Sequence, residues 1–400
     1  MTAGAVQETL AALDLVDHHC HGAVTDELDR AGFESLLTEG EAWPGVSPFD
    51  TPVGLAVRRH CAPLLDLPRH APVDAYLARR AELGAAEVNR RFLRAAGTGV
   101  FCVDTGHAPH RATSPGELAG AAGAVAYEVV RLEGVAEAVA AGGVEPDAYA
   151  EAFRTAAWEA VGRPGVVGVK SVAAYRTGFD LDPARPSPGR VTEAARRWLA
   201  RGGRLEDPVL VRHLLWTAVD LGRPLQLHTG FGDSDIRLHR VDPARLTDWL
   251  HLTAGTIPVL LLHCWPYQRQ AAYLSAVFER VYFDVGLTLH HVGPARAGAN
   301  PGGGAGDHPL PQTPVQLRRL RPGRVPPPGG TGLPPGPGRA APGTAGRRRD
   351  VPAGRAAPRA LGGTRQRPPG LPAPRRPGRR RLSGVGPVTV PERRPGSRNG

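Results

Sequence analysis

Seven short apolar runs recur between Leu13 and Val285, and the stretches that separate them are longer and amphipathic. The runs are Leu13–His19, Gly99–Thr105, Tyr127–Leu132, Val166–Val172, Pro224–His228, Pro258–His263 and Val281–Val285. Helical spacing is clearest in Val73–Ala96, Asp147–Val161, Thr192–Ala200, Asp207–Leu221 and Tyr267–Arg280. Continuous apolar runs of this length suit strands buried on both faces, and strand alternating with helix predicts a parallel sheet covered by helices. Polar residues gather at the C-terminal ends of the runs. That arrangement predicts an α/β fold of the TIM-like (β/α)8 barrel type rather than an open doubly wound sheet. No glycine-rich phosphate loop follows the first run, which weakens the dinucleotide-binding alternative. An eighth strand is missing.

It is missing because the composition changes abruptly after Gly293. Residues 294–400 hold 21 Arg against three acids, 45 Pro plus Gly, and no Phe, Tyr, Trp, Ile or Met. Such a segment buries too little apolar surface to offset the entropy of ordering, so a disordered Arg/Pro/Gly-rich tail is expected. Residues 1–293 carry 28 basic and 35 acidic side chains, a net charge of −7, so the tail alone makes the whole chain basic at +11. The high isoelectric point therefore says nothing about the barrel. No N-terminal stretch joins a basic region to an apolar one, and no apolar run is long enough to span a bilayer. A cytoplasmic protein with no membrane partner is expected. Cys20, Cys61, Cys102 and Cys264 are widely spaced, as reduced thiols would be, rather than paired in a disulfide framework.

Of 49 basic residues only Lys170 is lysine. A buried ammonium can lose its proton, act as a nucleophile and take up carbon dioxide as a carbamate, whereas a guanidinium stays charged. Lys170 lies near the end of the fourth run, in Gly168-Val169-Lys170-Ser171-Val172. The first run ends Asp17-His18-His19-Cys20-His21, and residues two apart on a strand point to one face, so His19 and His21 can share an ion. His228 closes the fifth run, in Leu227-His228-Thr229-Gly230, and His263 the sixth, in Leu262-His263-Cys264-Trp265. Singly, each is compatible with a satisfied core histidine. Together they make a demanding pattern, with ligand-type residues ending four runs in order.

On these motifs the chain resembles the amidohydrolase superfamily of metal-dependent barrels, in the branch that also occurs fused to glutamine-synthetase-like domains. The resemblance covers roughly residues 10–293. It implies an incomplete amidohydrolase-like barrel over 1–293, with His19, His21, Lys170, His228 and His263 binding one or two divalent ions, zinc foremost. A carbamylated Lys170 would bridge two ions or sit beside one, while His228 and His263 would serve a second metal or the substrate, making these three the catalytic set. Such an ion lowers the pKa of bound water from about 15.7 towards 7 and polarises a carbonyl, which implies hydrolysis of an amide or other C–N bond. The general base of the superfamily is an aspartate ending strand eight, and nothing before Gly293 takes its place. Arg176, which could grip a carboxylate, His107 and Trp265 are candidate substrate-binding residues. Glu133 and Asp233 are expected at the same mouth, with Asp104 and Asp284 as strand-end caps or partners that orient a histidine. The expected partner is a small molecule, with a glutamate-derived amide suggested by the fused relatives. A homo-oligomer is left open. Decarboxylation is the alternative reaction within the superfamily.

The tail also has a second reading. A turn to Arg, Pro, Gly and Ala is what a GC-rich gene gives out of register. One base later, the codons of Gln312 to Pro328 permit Lys-Leu-Leu-Phe-Ser-Ser-Asp-Ala-Phe-Gly-Leu-Ala-Glu-Phe-His-His-Leu, a strand followed by the missing aspartate. We therefore expect a frame change shortly after His291. The contrasting reading is an inactive pseudoenzyme whose basic tail binds nucleic acid through counterion release. Single-strand binders interleave aromatic residues for stacking, and this tail has none, so nucleic acid is not the expected partner.

Overall fold

A computed structural model describes residues 15–40, 45–108, 110–253 and 255–287. Seven strands form one sheet: β1 Leu15–Cys20, β2 Thr98–Asp104, β3 Val125–Arg131, β4 Val166–Ser171, β5 Leu225–Thr229, β6 Val259–His263 and β7 Val281–Phe283. They are all parallel and lie in sequence order, so each connection carries the chain to the adjacent strand. The sheet curls into a half-barrel. Its curvature brings β5 across to β1, where Gln226 Nε2 donates to the His18 carbonyl, 2.6 Å away. The seven strands match the seven predicted runs to within about two residues at each end, the usual uncertainty of element boundaries. The expected eighth strand and the tail fall outside the described residues.

Register decides which side chains meet. Arg131 on β3 pairs with Lys170 on β4, and Lys170 pairs with Gln226 on β5, so these three share the inner face. The alternate residues Val169, Leu225 and Leu227 are buried beneath the helices. Those helices are α1 Val73–Ala96, α2 Pro115–Ala122, α3 Leu132–Ala141, α4 Tyr149–Gly162, α5 Pro188–Arg201, α6 Pro208–Asp220, α7 Thr247–Thr253 and α8 Gln268–Val277. Local chemistry starts several of them. Ser114 and Glu117 close a capping box on α2. Asp207 accepts from the Val209 and Leu210 amides ahead of α6, whose first residue is Pro208. Leu132, expected to end the third strand, instead begins α3 with no intervening loop. α1 is broken at Gly84 (φ 76°), and Glu27 caps the second half by accepting from the Ala85 amide at 2.7 Å.

The main core lies between the sheet and α3 to α8, with Phe153, Trp198, Leu210, Leu214, Leu225 and Leu261 among its members. A second cluster, built from Phe33, Phe49, Leu65, Tyr76 and Val88, packs the segment between β1 and α1 onto α1. Among the described residues no helix is long and apolar enough to cross a membrane.

Candidate active site

The C-terminal ends of the strands open onto a cavity of about 550 Å³. Four of the five metal-ligand candidates reach it from within a strand or just past a strand end. Lys170 comes from β4, His228 from β5, and His19 and His21 from β1 and the residue beyond it. His263 reaches it differently. Thr229 pairs with His263 in the sheet, and strand alternation would turn both away from the face that carries His228. His263 and Cys264 instead have left-handed backbones, φ 70° and 54°, which swing the His263 ring to 4.6 Å from that of His228. Asp284, just after β7, supports this conformation by accepting from the His263 amide at 2.8 Å.

β1 departs from regular alternation as well. Asp17 pairs with Phe101 and Cys20 with Val103, so three steps on β1 answer two on β2. This bulge brings His18 as well as His19 to the cavity. His18 Nε2 lies 3.3 Å from Asp284 Oδ2, which links the two edge strands of the sheet. Sequence spacing does not single out His18, because strict alternation hides it behind its neighbour.

The four candidate ligand histidines are held neutral, whereas at His18 the pull of Asp284 outweighs burial and raises the ring. Burial pushes His21 and His263 down to about 4, and it carries His19 and His228 well below the ordinary histidine value, with the Lys170 charge adding to the effect. Their partners fix which nitrogen carries the proton. His228 Nε2 donates to the Phe231 carbonyl at 2.9 Å, and His21 Nδ1 to the Asp104 carbonyl at 3.2 Å. Each is left with one nitrogen lone pair.

Lys170 is 1% exposed. Burial lowers its ammonium to about 8 against the opposing pull of Asp104. Nζ lies 3.1 Å from His19 Nε2 and 3.5 Å from Asp104 Oδ2. Arg131 grips the same carboxylate through Nη2 at 2.6 Å and Nε at 3.3 Å. Burial alone would raise the Asp104 carboxyl, but Lys170 and Arg131 outweigh it and hold the group below its usual value. Asp104 is thus a buried anion shared by two cations behind the histidine cluster.

Of the substrate-binding candidates, His107 and Arg176 line the cavity, and the His107 ring lies 4.7 Å from that of His21. Trp265 is not among the lining residues. The left-handed turn at His263 and Cys264 carries it instead to Phe231, at 5.7 Å between ring centroids. Asp233 is at the mouth as expected. Glu133 is not: it is fully buried, and its Oε1 accepts from Ser171 Oγ at 2.7 Å and the Val172 amide at 2.9 Å. Its place is behind the turn that follows Lys170. Arg131 and Tyr175, which no sequence motif marks, also line the cavity.

Among the described residues, no group of three or more His, Cys, Asp or Glu side chains is already gathered around one ion position. The donor chemistry nevertheless fits a divalent cation. The imidazoles of His19, His21, His228 and His263 are neutral, and Nδ1 of His19 and His263 are buried without a hydrogen-bond partner, as is Nδ1 of His18 on the ring that faces Asp284. Buried nitrogens in that state are normally completed by a proton acceptor, a water or a metal.

The sequence profile of the amidohydrolase family matches residues 16–311. Protein fluG of Emericella nidulans is 36% identical over 157 residues, an alignment that takes in 35% of this chain and 18% of that protein. The match thus spans under a fifth of that relative's length. A crystal structure of a Lactobacillus casei ATCC 334 protein, whose assignment as a metal-dependent hydrolase is provisional, superposes with a TM-score of 0.67 at 27% identity. The superposition covers 77% of this chain and 82% of that one.

Proposed function

The chain belongs to the amidohydrolase family, and on that premise we propose that its barrel hydrolyses an amide or other C–N bond of a small molecule with the help of a divalent ion, zinc foremost. The observation that carries this reading is the meeting of four neutral histidines and one buried lysine at the C-terminal mouth of a parallel sheet. His19, His21, Lys170, His228 and His263 would hold the ion. Bound there, it would supply a lowered water pKa and a polarised carbonyl.

The chain's own residues prepare that site. Asp104 and Arg131 fix the Lys170 amine, and the depressed pKa of Lys170 gives it a fraction of neutral amine near neutral pH, as metal binding or carbamate formation requires. The Phe231 and Asp104 carbonyls set the tautomers of His228 and His21, so each presents its lone pair rather than a proton. Tyr175, with its ring 4.6 Å from that of His228, walls one side of the cavity.

Among the described residues there is no eighth strand to supply the aspartate that the resemblance implies. We propose that residues 294–400 come from out-of-frame translation and that the aspartate lies in the adjacent frame, within the codons of Arg318 and Arg319. The test compares two zinc-loaded proteins, the 400-residue chain and one read a base later after His291, on a panel of N-acyl amino acids. The expected result is paired release of amine and carboxylic acid by the second protein, with turnover at least 100-fold lower for the first, the usual cost of a lost general base. Carbon dioxide release without that pair would instead mark a decarboxylase.

A further inference from the structure

Arg176 is the cavity-lining residue whose bonding is least complete. It sits at the end of the helical turn Ala173–Arg176, six residues beyond Lys170, and its side chain is 8% exposed. Nη2 makes one ion pair, with Glu137 at 3.1 Å, while Nε and Nη1 are buried with no acceptor. A guanidinium has five N–H donors, and burying several of them unmade is unfavourable unless a ligand completes them. The other lining guanidiniums differ. Arg131 is occupied by Asp104 through two nitrogens, and Arg204 is half exposed and paired with Asp235 at 2.9 Å. Glu133 is the nearby acid that could satisfy Arg176 internally. However, its Oε1 is committed to Ser171 and Val172, its Oε2 is buried without a partner and so makes no bond to the guanidinium, and burial raises its carboxyl, which weakens it as a counter-ion.

We propose that the cavity takes substrates bearing a carboxylate, that Arg176 binds this group, and that Arg204, which lines the same cavity, adds to the attraction. This rests on the hydrolase reading for the reacting end of the molecule, and it defines the other end. The substrate class is then an amide or related C–N compound with a free carboxylate, the carboxylate at Arg176 and the scissile bond at the histidine cluster. Neither Nε nor Nη1 is open to solvent in the resting position, so the guanidinium rotates toward the cavity it already lines when the anion enters.

Binding alone tests this, so an inactive chain still gives an answer. The metal-free 400-residue chain, held below the concentration at which light scattering detects aggregation, is titrated by calorimetry with succinamate, which has one carboxylate and one amide, and with succinamide, which has two amides. The expected result is at least tenfold tighter binding of succinamate, a preference abolished by Arg176→Gln and partly kept by Arg176→Lys. Equal binding of the two probes by the unsubstituted chain would overturn the proposal, as would a preference that survives Arg176→Gln. If Arg176→Gln does not fold, the comparison on the unsubstituted chain still decides, and Arg204→Gln is expected to lower the succinamate preference by a smaller factor.

Discussion

At the scale of single residues, Lys170 shows how far composition can lead. A lone lysine in an arginine-rich chain marks a position where the arginine alternative fails, and the reason is visible in its surroundings. It is buried against His19, Asp104 and Arg131, where an amine that can lose its proton fits and a larger permanent cation does not. Metal binding at this position requires the neutral amine. Because Lys170 is lowered to about 8, while His21 and His263 lie near 4, zinc affinity is expected to fall about tenfold per pH unit below 8 as the ammonium re-forms. Equilibrium dialysis against zinc between pH 6 and 9 measures this. In Lys170→Met, affinity should be weaker throughout, with the slope between pH 6 and 8 gone; a slope unchanged in that variant would show that another group sets it. His18 and Trp265 mark the limit of residue-level reading. Simple alternation misplaces both, because a bulge in β1 and two left-handed residues at the end of β6 put the first into the cavity and the second outside it.

At the scale of elements, strands are easier to read than the turns that succeed them. Each apolar run is short, continuous and bounded, so its existence and direction follow from burial on both faces. The path of the chain beyond a strand depends on hydrogen bonds to residues far away in sequence, and these leave little local signal. The turn after β6 is the clearest case. Its left-handed His263 is held by Asp284, 21 residues later, and the same carboxylate reaches His18 on β1 and the Gly286 amide at 2.9 Å. The His18 contact and backbone bonds draw the Asp284 carboxyl far below its usual range although burial opposes them. Asp284→Ala removes all three contacts and is expected to lower stability by about 3 kcal/mol, the scale for breaking a buried ionic contact. Asp284→Asn keeps an acceptor for the two amides and should lose about 1 kcal/mol. Urea unfolding of the two variants checks the order. An equal loss in both would mean that the charge on His18, rather than the support of His263, dominates.

At the scale of the whole molecule, the described sheet has two edges, β1 and β7, joined at their C-terminal ends by the contact of His18 with Asp284. A closed barrel has no such edges, and exposed parallel edges invite pairing with other chains. The family match reaches residue 311, and the adjacent-frame reading that yields Leu-Leu-Phe-Ser-Ser-Asp-Ala begins at Gln312. Those seven residues have the apolar start of a barrel strand and reach an aspartate near their end, where the family resemblance expects one. Composition makes the change of character after Gly293 visible, but amino acids alone cannot show its cause, because a frame is a property of codons. The decisive measurement is independent resequencing of the gene from the codon for Asp284 to beyond the stop. A base gained or lost shortly after the codon for His291 is expected. The corrected chain should then remain monodisperse by light scattering at concentrations where the 400-residue chain aggregates, because its eighth strand would cover both edges at once. An unaltered frame would make residues 294–400 a true product, and the open edges would have to be covered by some other means.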